Sequence, residues 1–166
     1  DLQDSSDDTD DVVDDEAVSS KGALKAEPLR AEPDGSFTDL RTLIGSASAG
    51  SVITLDRNYV YTNGDSRDGI LIDRSITIDG AGYTIDAKHN ARIFDIYRYQ
   101  TALTVTLKNL HLINGNASRS TSYNPYGGVI YSHGGNNRVT VTNCSCINNT
   151  AGTSTNSNGG VFYIAG

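Results

Sequence analysis

Acid–base chemistry on a glycosidic or ester bond needs two titratable groups that converge in space. Beyond the N-terminal stretch, Asp73, Asp79, Asp86 and Asp95 are the acids on offer, and Ser132-His133-Gly134 supplies a histidine. The adjacent Asp-Asp pairs all lie before residue 16. Asp79 precedes Gly80 and reads as a turn former. His133 falls in a Gly/Asn-rich segment and reads as an exposed loop side chain. Sequence spacing brings no two of these groups together, so no catalytic residue is assigned.

Thiol, metal and sugar chemistry are tested the same way. Cys144 and Cys146 are two apart on an expected strand, so their side chains share one face. A bridge between them would strain the backbone, and two reduced core thiols are expected. His89 and His133 are poorly placed to complete a metal site, so no metal and no cofactor is expected. Asn116-Ala117-Ser118, Asn143-Cys144-Ser145 and Asn148-Asn149-Thr150 fit the glycosylation acceptor pattern. The competing reading is structural, since asparagine tolerates left-handed backbone at tight corners. Asn109 and Asn143 suit that corner role, whereas Asn116 adjoins a long insertion and is the best sugar acceptor of the three. Among the aromatics, Tyr97, Tyr99, Tyr123 and Tyr126 lie near that insertion and could contact a ligand, because tyrosine is favoured at binding surfaces. A stabilising ladder with loop packing is the alternative reading of the same tyrosines.

The elements that must position these residues are short strands. Val129-Ile130-Tyr131, Val139-Thr140-Val141 and Cys144-Ser145-Cys146-Ile147 are bounded by Gly and Asn, as strands are. The unit then recurs. Gly127-Gly128-Val129-Ile130-Tyr131 returns 32 residues later as Gly159-Gly160-Val161-Phe162-Tyr163, and the segment from Asn109 to Ala117 matches Asn143 to Ala151 at an offset of 34. A period near 30 residues holding several strands marks a solenoid, because one unit cannot bury its apolar face alone. With no helical pattern between the strands, the reading is an all-β, right-handed parallel β-helix of about three to four coils. Tyr131 and Tyr163 should then stack at roughly 4.8 Å. Arg119 to Pro125 and Thr153 to Asn158 read as insertions in corners.

The chain has 166 residues, enough for one domain. Residues 1–16 hold nine acids and no base, so eleven acids face thirteen bases in the remainder. The overall charge of −7 therefore belongs to the N-terminal stretch. Such charge density with little to bury implies a disordered tail and linker over residues 1–34. The β-helix domain is expected over residues 35–166, opened by a capping helix at 37–45. Ser36 followed three residues later by Asp39 forms a capping box, and Leu40, Leu43 and Ile44 follow at helical spacing. An amphipathic helix there would cover the open core of the first coil. No apolar run reaches membrane-span length. The scattered bases carry no phosphate-tracking stripe, so no nucleic-acid partner is expected. The chain is expected to continue into further coils past Gly166.

The paired motifs resemble those of polymorphic outer-membrane-type repeats. Gly127-Gly128-Val129-Ile130 and Gly159-Gly160-Val161-Phe162 are similar to its Gly-Gly-Ala-Ile motif. Cys146-Ile147-Asn148-Asn149-Thr150-Ala151 is similar to its Phe-x-x-Asn-x-Ala motif with Cys for Phe, and Leu112 to Ala117 matches more loosely. Residues 36–166 look like the N-terminal part of the adhesin-like surface proteins of methanogenic archaea. That resemblance implies an extracellular, surface-displayed or secreted, non-catalytic β-solenoid whose partners are glycans or proteins of neighbouring cells. The alternative is the N-terminal part of a carbohydrate-active β-helix enzyme, a polysaccharide lyase or glycoside hydrolase. Galacturonan hydrolases of this fold use Asn-x-Asp, Asp-Asp, Gly-His-Gly and Arg-x-Lys, of which only Ser132-His133-Gly134 is a partial match.

Overall fold

A computed structural model describes residues 33–121, 125–152 and 160–165. The expectations for residues 1–32, for Tyr123 and for Thr153 to Asn158 lie outside the described residues. What is described belongs to one compact unit, Ala31–Gly166.

The chain begins with β1 (Gly35–Ser36) and α1 (Phe37–Ser46). Twelve further strands follow: β2 (Val52–Thr54), β3 (Tyr59–Val60), β4 (Ile70–Ile72), β5 (Ile76–Asp79), β6 (Thr84–Asp86), β7 (Phe94–Tyr97), β8 (Thr104–Lys108), β9 (His111–Ile113), β10 (Ile130–His133), β11 (Arg138–Thr142), β12 (Ser145–Ile147) and β13 (Phe162–Ile164). They form three parallel sheets. Sheet 1 runs β4-β7-β10-β13, sheet 2 runs β2-β5-β8-β11, and sheet 3 runs β1-β3-β6-β9-β12. Each turn of the chain passes through sheets 1, 2 and 3 and then climbs one layer. This is the parallel β-helix.

Apolar rows fill the interior because register stacks like on like. Ile70, Phe94, Ile130 and Phe162 are vertical neighbours in sheet 1. Ile53, Ile78, Leu107 and Val141 are neighbours in sheet 2. Tyr59, Ile85, Leu112 and Cys146 line sheet 3. The Val129 N–H donates to the Val161 carbonyl at 2.9 Å, placing the repeated Gly-Gly motif one layer apart. Both cysteines are free thiols and half-buried, and burial with the neighbouring Cys144 pushes the Cys146 thiol up.

Corners are held by asparagine. Asn109 and Asn143 have φ of 55° and 50°, and the Asn143 amide donates to Asn109 at 2.7 Å. Asn109 in turn donates to Asp79 at 2.9 Å. The asparagine of the second repeat motif, Asn149, ties two layers together. Its Oδ1 accepts from the Gly115 N–H at 2.7 Å and its Nδ2 donates to the Leu112 carbonyl at 3.0 Å. Gly127 has φ 56°, and a β-carbon there would lie 1.9 Å from the Ile130 carbonyl. No other residue fits that position.

In the first coil, α1 occupies the place of a sheet 1 strand and packs on β4, burying Phe37, Leu40 and Ile44. The expected capping box is present, with the Asp39 N–H donating to Ser36 Oγ at 3.0 Å and Asp39 Oδ2 accepting from the Ser36 N–H at 2.7 Å. The helix runs one residue past the expected Gly45, because Ser46 Oγ bonds the Leu43 carbonyl and the Ala47 N–H closes onto Ile44. Asp65, from the corner after β3, clamps the helix start. Its buried carboxylate accepts from the N–H and hydroxyl of both Thr38 and Thr62. Burial pushes its carboxyl up, but these four donors outweigh it and hold the pKa below the usual range.

Two predictions follow from this cap and this corner. Asp65→Ala should lose about 2 kcal/mol in urea melts, the scale for bonds to a charged acceptor. The depressed pKa makes that contribution full above the ordinary carboxylate value and lost as pH falls through the folded one. The gap between Asp65→Ala and parent should therefore shrink in acid. Gly127→Ala should lower stability by roughly 2 kcal/mol or more, because strain and a backbone clash coincide.

Candidate aromatic face and its charged base

The outward side chains of sheet 1 form the densest polar–aromatic cluster among the described residues. Strand alternation sends Asp95 and Tyr97 outward from β7, Tyr131 and His133 from β10, and Tyr163 from β13. Register sets Asp95 beside Tyr131, Tyr131 beside Tyr163, and Tyr97 beside His133. The His133 ring is stacked between Tyr97 at 4.5 Å and Tyr131 at 4.2 Å, with interplanar angles of 17° and 18°. Tyr126, from the end of the corner insertion, stacks on Tyr163 at 4.6 Å and meets Tyr131 edge-on at 5.9 Å.

His133 is thus on a strand, which corrects the expectation of an exposed loop histidine. The Gly/Asn turn begins one residue later, at Gly134. The Tyr131–Tyr163 ladder is also looser than expected, at 5.6 Å and tilted by 38°. Tyr126 is the reason, since it takes up the stacking position on Tyr163. Tyr97 joins the stack through His133, whereas Tyr99 stands apart from it, 71% exposed in the corner after β7.

Charge lies beneath the rings. His133 Nε2 is 3.1 Å from Asp95 Oδ1, and both side chains are mostly covered. Burial pushes the Asp95 carboxyl above its usual range, while His133 first and Arg92 second pull it back. Arg92 is fully buried. Its Nε donates to the carbonyls of Tyr126 at 3.0 Å and Gly127 at 3.1 Å, and a terminal nitrogen donates to the Asp68 carbonyl at 3.3 Å. Its guanidinium carbon lies 4.6 Å from the centre of the Tyr131 ring. The Asp68 carboxylate accepts from Ser120 Oγ, the Thr121 N–H and Thr121 Oγ. Asp68 therefore fastens the outgoing leg of the insertion, and Arg92 fastens the returning leg that carries Tyr126.

The other acids are dispersed. Asp73 pairs with Arg74 at 2.8 Å. Asp79 closes the corner after β5, where Asn109, Lys108 and the Ala81 N–H lower its pKa to about 2. Asp86 closes the corner after β6, bound to Lys88 and Asn114. These carboxylates sit at separate corners, and Asp79 and Asp86 each tie their corner to the next coil, through Lys108 with Asn109 and through Asn114. Among the described residues no group of three or more His, Cys, Asp or Glu side chains could hold a metal ion.

Of the acceptor candidates, Asn143 is in the amide ladder and Asn148 is exposed with φ 56°. Asn116 caps a short 3-10 turn, Ala117–Arg119. The Asp95–His133 contact and the buried Arg92 were missed in the sequence. Aligning Ile93-Phe94-Asp95-Ile96-Tyr97 with Val129-Ile130-Tyr131-Ser132-His133 by their apolar positions would have set Tyr97 beside His133.

A scan against protein families matches residues 37–158 to the putative pectate lyase-like adhesive domain, a span covering well over half of the chain. The chain belongs to that family. Neither the curated proteins nor the solved structures compared with it give a match. The adhesive-domain family and the three parallel sheets agree on the β-helix. Among the described residues no helix is long and apolar enough to cross a membrane.

Removing the imidazole should move the acid beside it. In His133→Ala the Asp95 carboxyl should titrate at higher pH than in the parent, read by carbon-detected NMR, because the largest charge opposing its burial is gone. Asp95→Asn should leave the Tyr97 and Tyr131 resonances near their parent positions, since the rings are held by strand register.

Proposed function

We propose that this adhesive domain is a non-catalytic attachment module, displayed at the cell surface or secreted, that binds glycans or proteins of neighbouring cells. The acidic lead and the paired repeat motifs support an adhesin-like surface protein of the kind found in methanogenic archaea. The observation that carries the reading is the aromatic cluster on one face of the solenoid, in which half-buried Tyr97, His133, Tyr126 and Tyr163 pack around the covered Tyr131 ring. Rings already fixed against one another lose little freedom when a ligand arrives, so more of the contact energy appears as affinity. Stacked rings cover each other's faces and present edges and polar tips. That arrangement favours lateral hydrogen bonding to sugar or peptide groups over stacking on one isolated ring.

A second reading, a carbohydrate-active β-helix, draws on the Asp95–His133 pair. Glycoside cleavage asks for two carboxyl groups flanking one bond. Asp95 is committed to His133, and Asp68 to Ser120 and Thr121, which favours binding without turnover.

The protein should bind a subset of an immobilised glycan array or intact cells, and Tyr97→Ala with Tyr126→Ala should weaken that binding roughly tenfold or more, as for aromatic hot spots. A polysaccharide panel incubated with the protein should release no reducing ends and no unsaturated sugars. Release that is lost in Asp95→Asn would replace attachment with the enzyme reading.

A further inference from the structure

We propose that Asn116 is the glycan acceptor of the folded chain, selected over Asn143 and Asn148 by the placement of its partner hydroxyl. An N-glycosylation acceptor is read as two groups at once, the carboxamide and the hydroxyl two residues on. Only Asn116 presents them as one unit. Its Oδ1 accepts from the Ser118 N–H at 3.0 Å and from Ser118 Oγ at 2.6 Å. The reacting nitrogen, Nδ2, is held only by a long contact of 3.2 Å to the His89 carbonyl. Backbone at Asn116 is extended (φ −142°, ψ 101°), with its N–H donating to the Ala91 carbonyl at 2.7 Å and the following Ala117–Arg119 in a 3-10 turn. The neighbouring Ser118 and Arg119 are exposed on the outside of the corner between sheets 3 and 1.

The other two acceptors lack that pairing of carboxamide and hydroxyl. Asn143 Nδ2 is spent on Asn109 at 2.7 Å, and Ser145 Oγ is spent on His111 Nδ1, also at 2.7 Å. Asn143 and Asn148 both hold left-handed backbone, with φ of 50° and 56°. Thr150 is fixed into the layer below Asn148. Its N–H donates to the Gly115 carbonyl at 2.7 Å and its own carbonyl accepts from the Ala117 N–H at 2.9 Å. No hydrogen bond joins the Asn148 amide to Thr150 among the described residues. Asn143 and Asn148 are both exposed and Asn116 is half-buried, so exposure and the pairing of amide with hydroxyl point to different acceptors.

The co-reactant is a glycan linked through pyrophosphate to a lipid. Asn116 Nδ2 attacks the anomeric carbon, and the new N–C bond forms as the anomeric C–O bond breaks. The lipid pyrophosphate leaves with that electron pair, and one Nδ2 proton passes to a carboxylate of the transferase.

The test is transfer to the folded 166-residue chain by a purified single-subunit oligosaccharyltransferase and its lipid-pyrophosphate glycan. Intact mass and peptide mapping should find one glycan, on Asn116. Asn116→Gln and Ser118→Ala should each abolish it, and Ser118→Thr should retain it. Ser118→Ala removes only the hydroxyl, and its unchanged thermal melt separates lost recognition from lost fold. Glycan on Asn143 or Asn148 with Asn116 bare overturns the proposal. So does absence of transfer to the folded chain while a control acceptor peptide in the same mixture reacts.

Discussion

The amide hydrogen bond between successive layers is the constraint from which everything else in this domain follows. Each strand is too short to be stable alone and offers its backbone groups upward and downward rather than within its own coil. Parallel pairing in register then fixes the vertical neighbour of every side chain. Identical or compatible residues must meet their counterparts above and below, which is why isoleucines sit over isoleucines and asparagines over asparagines. The same rule brings the Tyr97 ring of one layer against the His133 ring of the next.

A stack of this kind has a weak end and a weak corner, and the sequence spends its charged residues there. At the start, a helix replaces a strand and hides the core, and one buried carboxylate fastens its first turn to the adjoining corner. Around the long insertion, Asp68 and Arg92 do corresponding work on opposite legs. Arg92 is a fully buried cation whose donors satisfy backbone carbonyls that the insertion would otherwise leave unpaired. Burying a guanidinium is costly unless its donors are used. Here they are used on the segment that delivers Tyr126, so the tether and the aromatic face are built together.

The aromatic face, in turn, is where that rigidity reaches the surface. Rings packed against each other and against the mostly covered Asp95–His133 contact are ordered before any partner arrives. The acids elsewhere serve as corner ties, with Asp79 and Asp86 each fastened to the next layer. A solenoid can gather titratable groups from successive layers onto one face, as sheet 1 does with Asp95 and His133. In this domain that face gathers mostly rings.

Much of this architecture was legible in the residues. The repeated Gly-Gly-Val and Asn-rich segments fixed the period, the period implied stacking, and Ser36 with Asp39 marked the helix start. Those signals are local or recur at constant spacing, so they survive without coordinates. Unequal corner lengths hid the rest. Ile70 to Phe94 is 24 residues, Phe94 to Ile130 is 36, and Ile130 to Phe162 is 32, so one period cannot align all layers. His133 read as a loop residue because its strand ends against glycine, and Arg92 carried no motif. By its repeats the sequence determined that the coils from Asn109 onward lie one on the next. Which side chains touch across layers was decided only by the tertiary structure, because a corner of any length restores the register and with it every vertical contact.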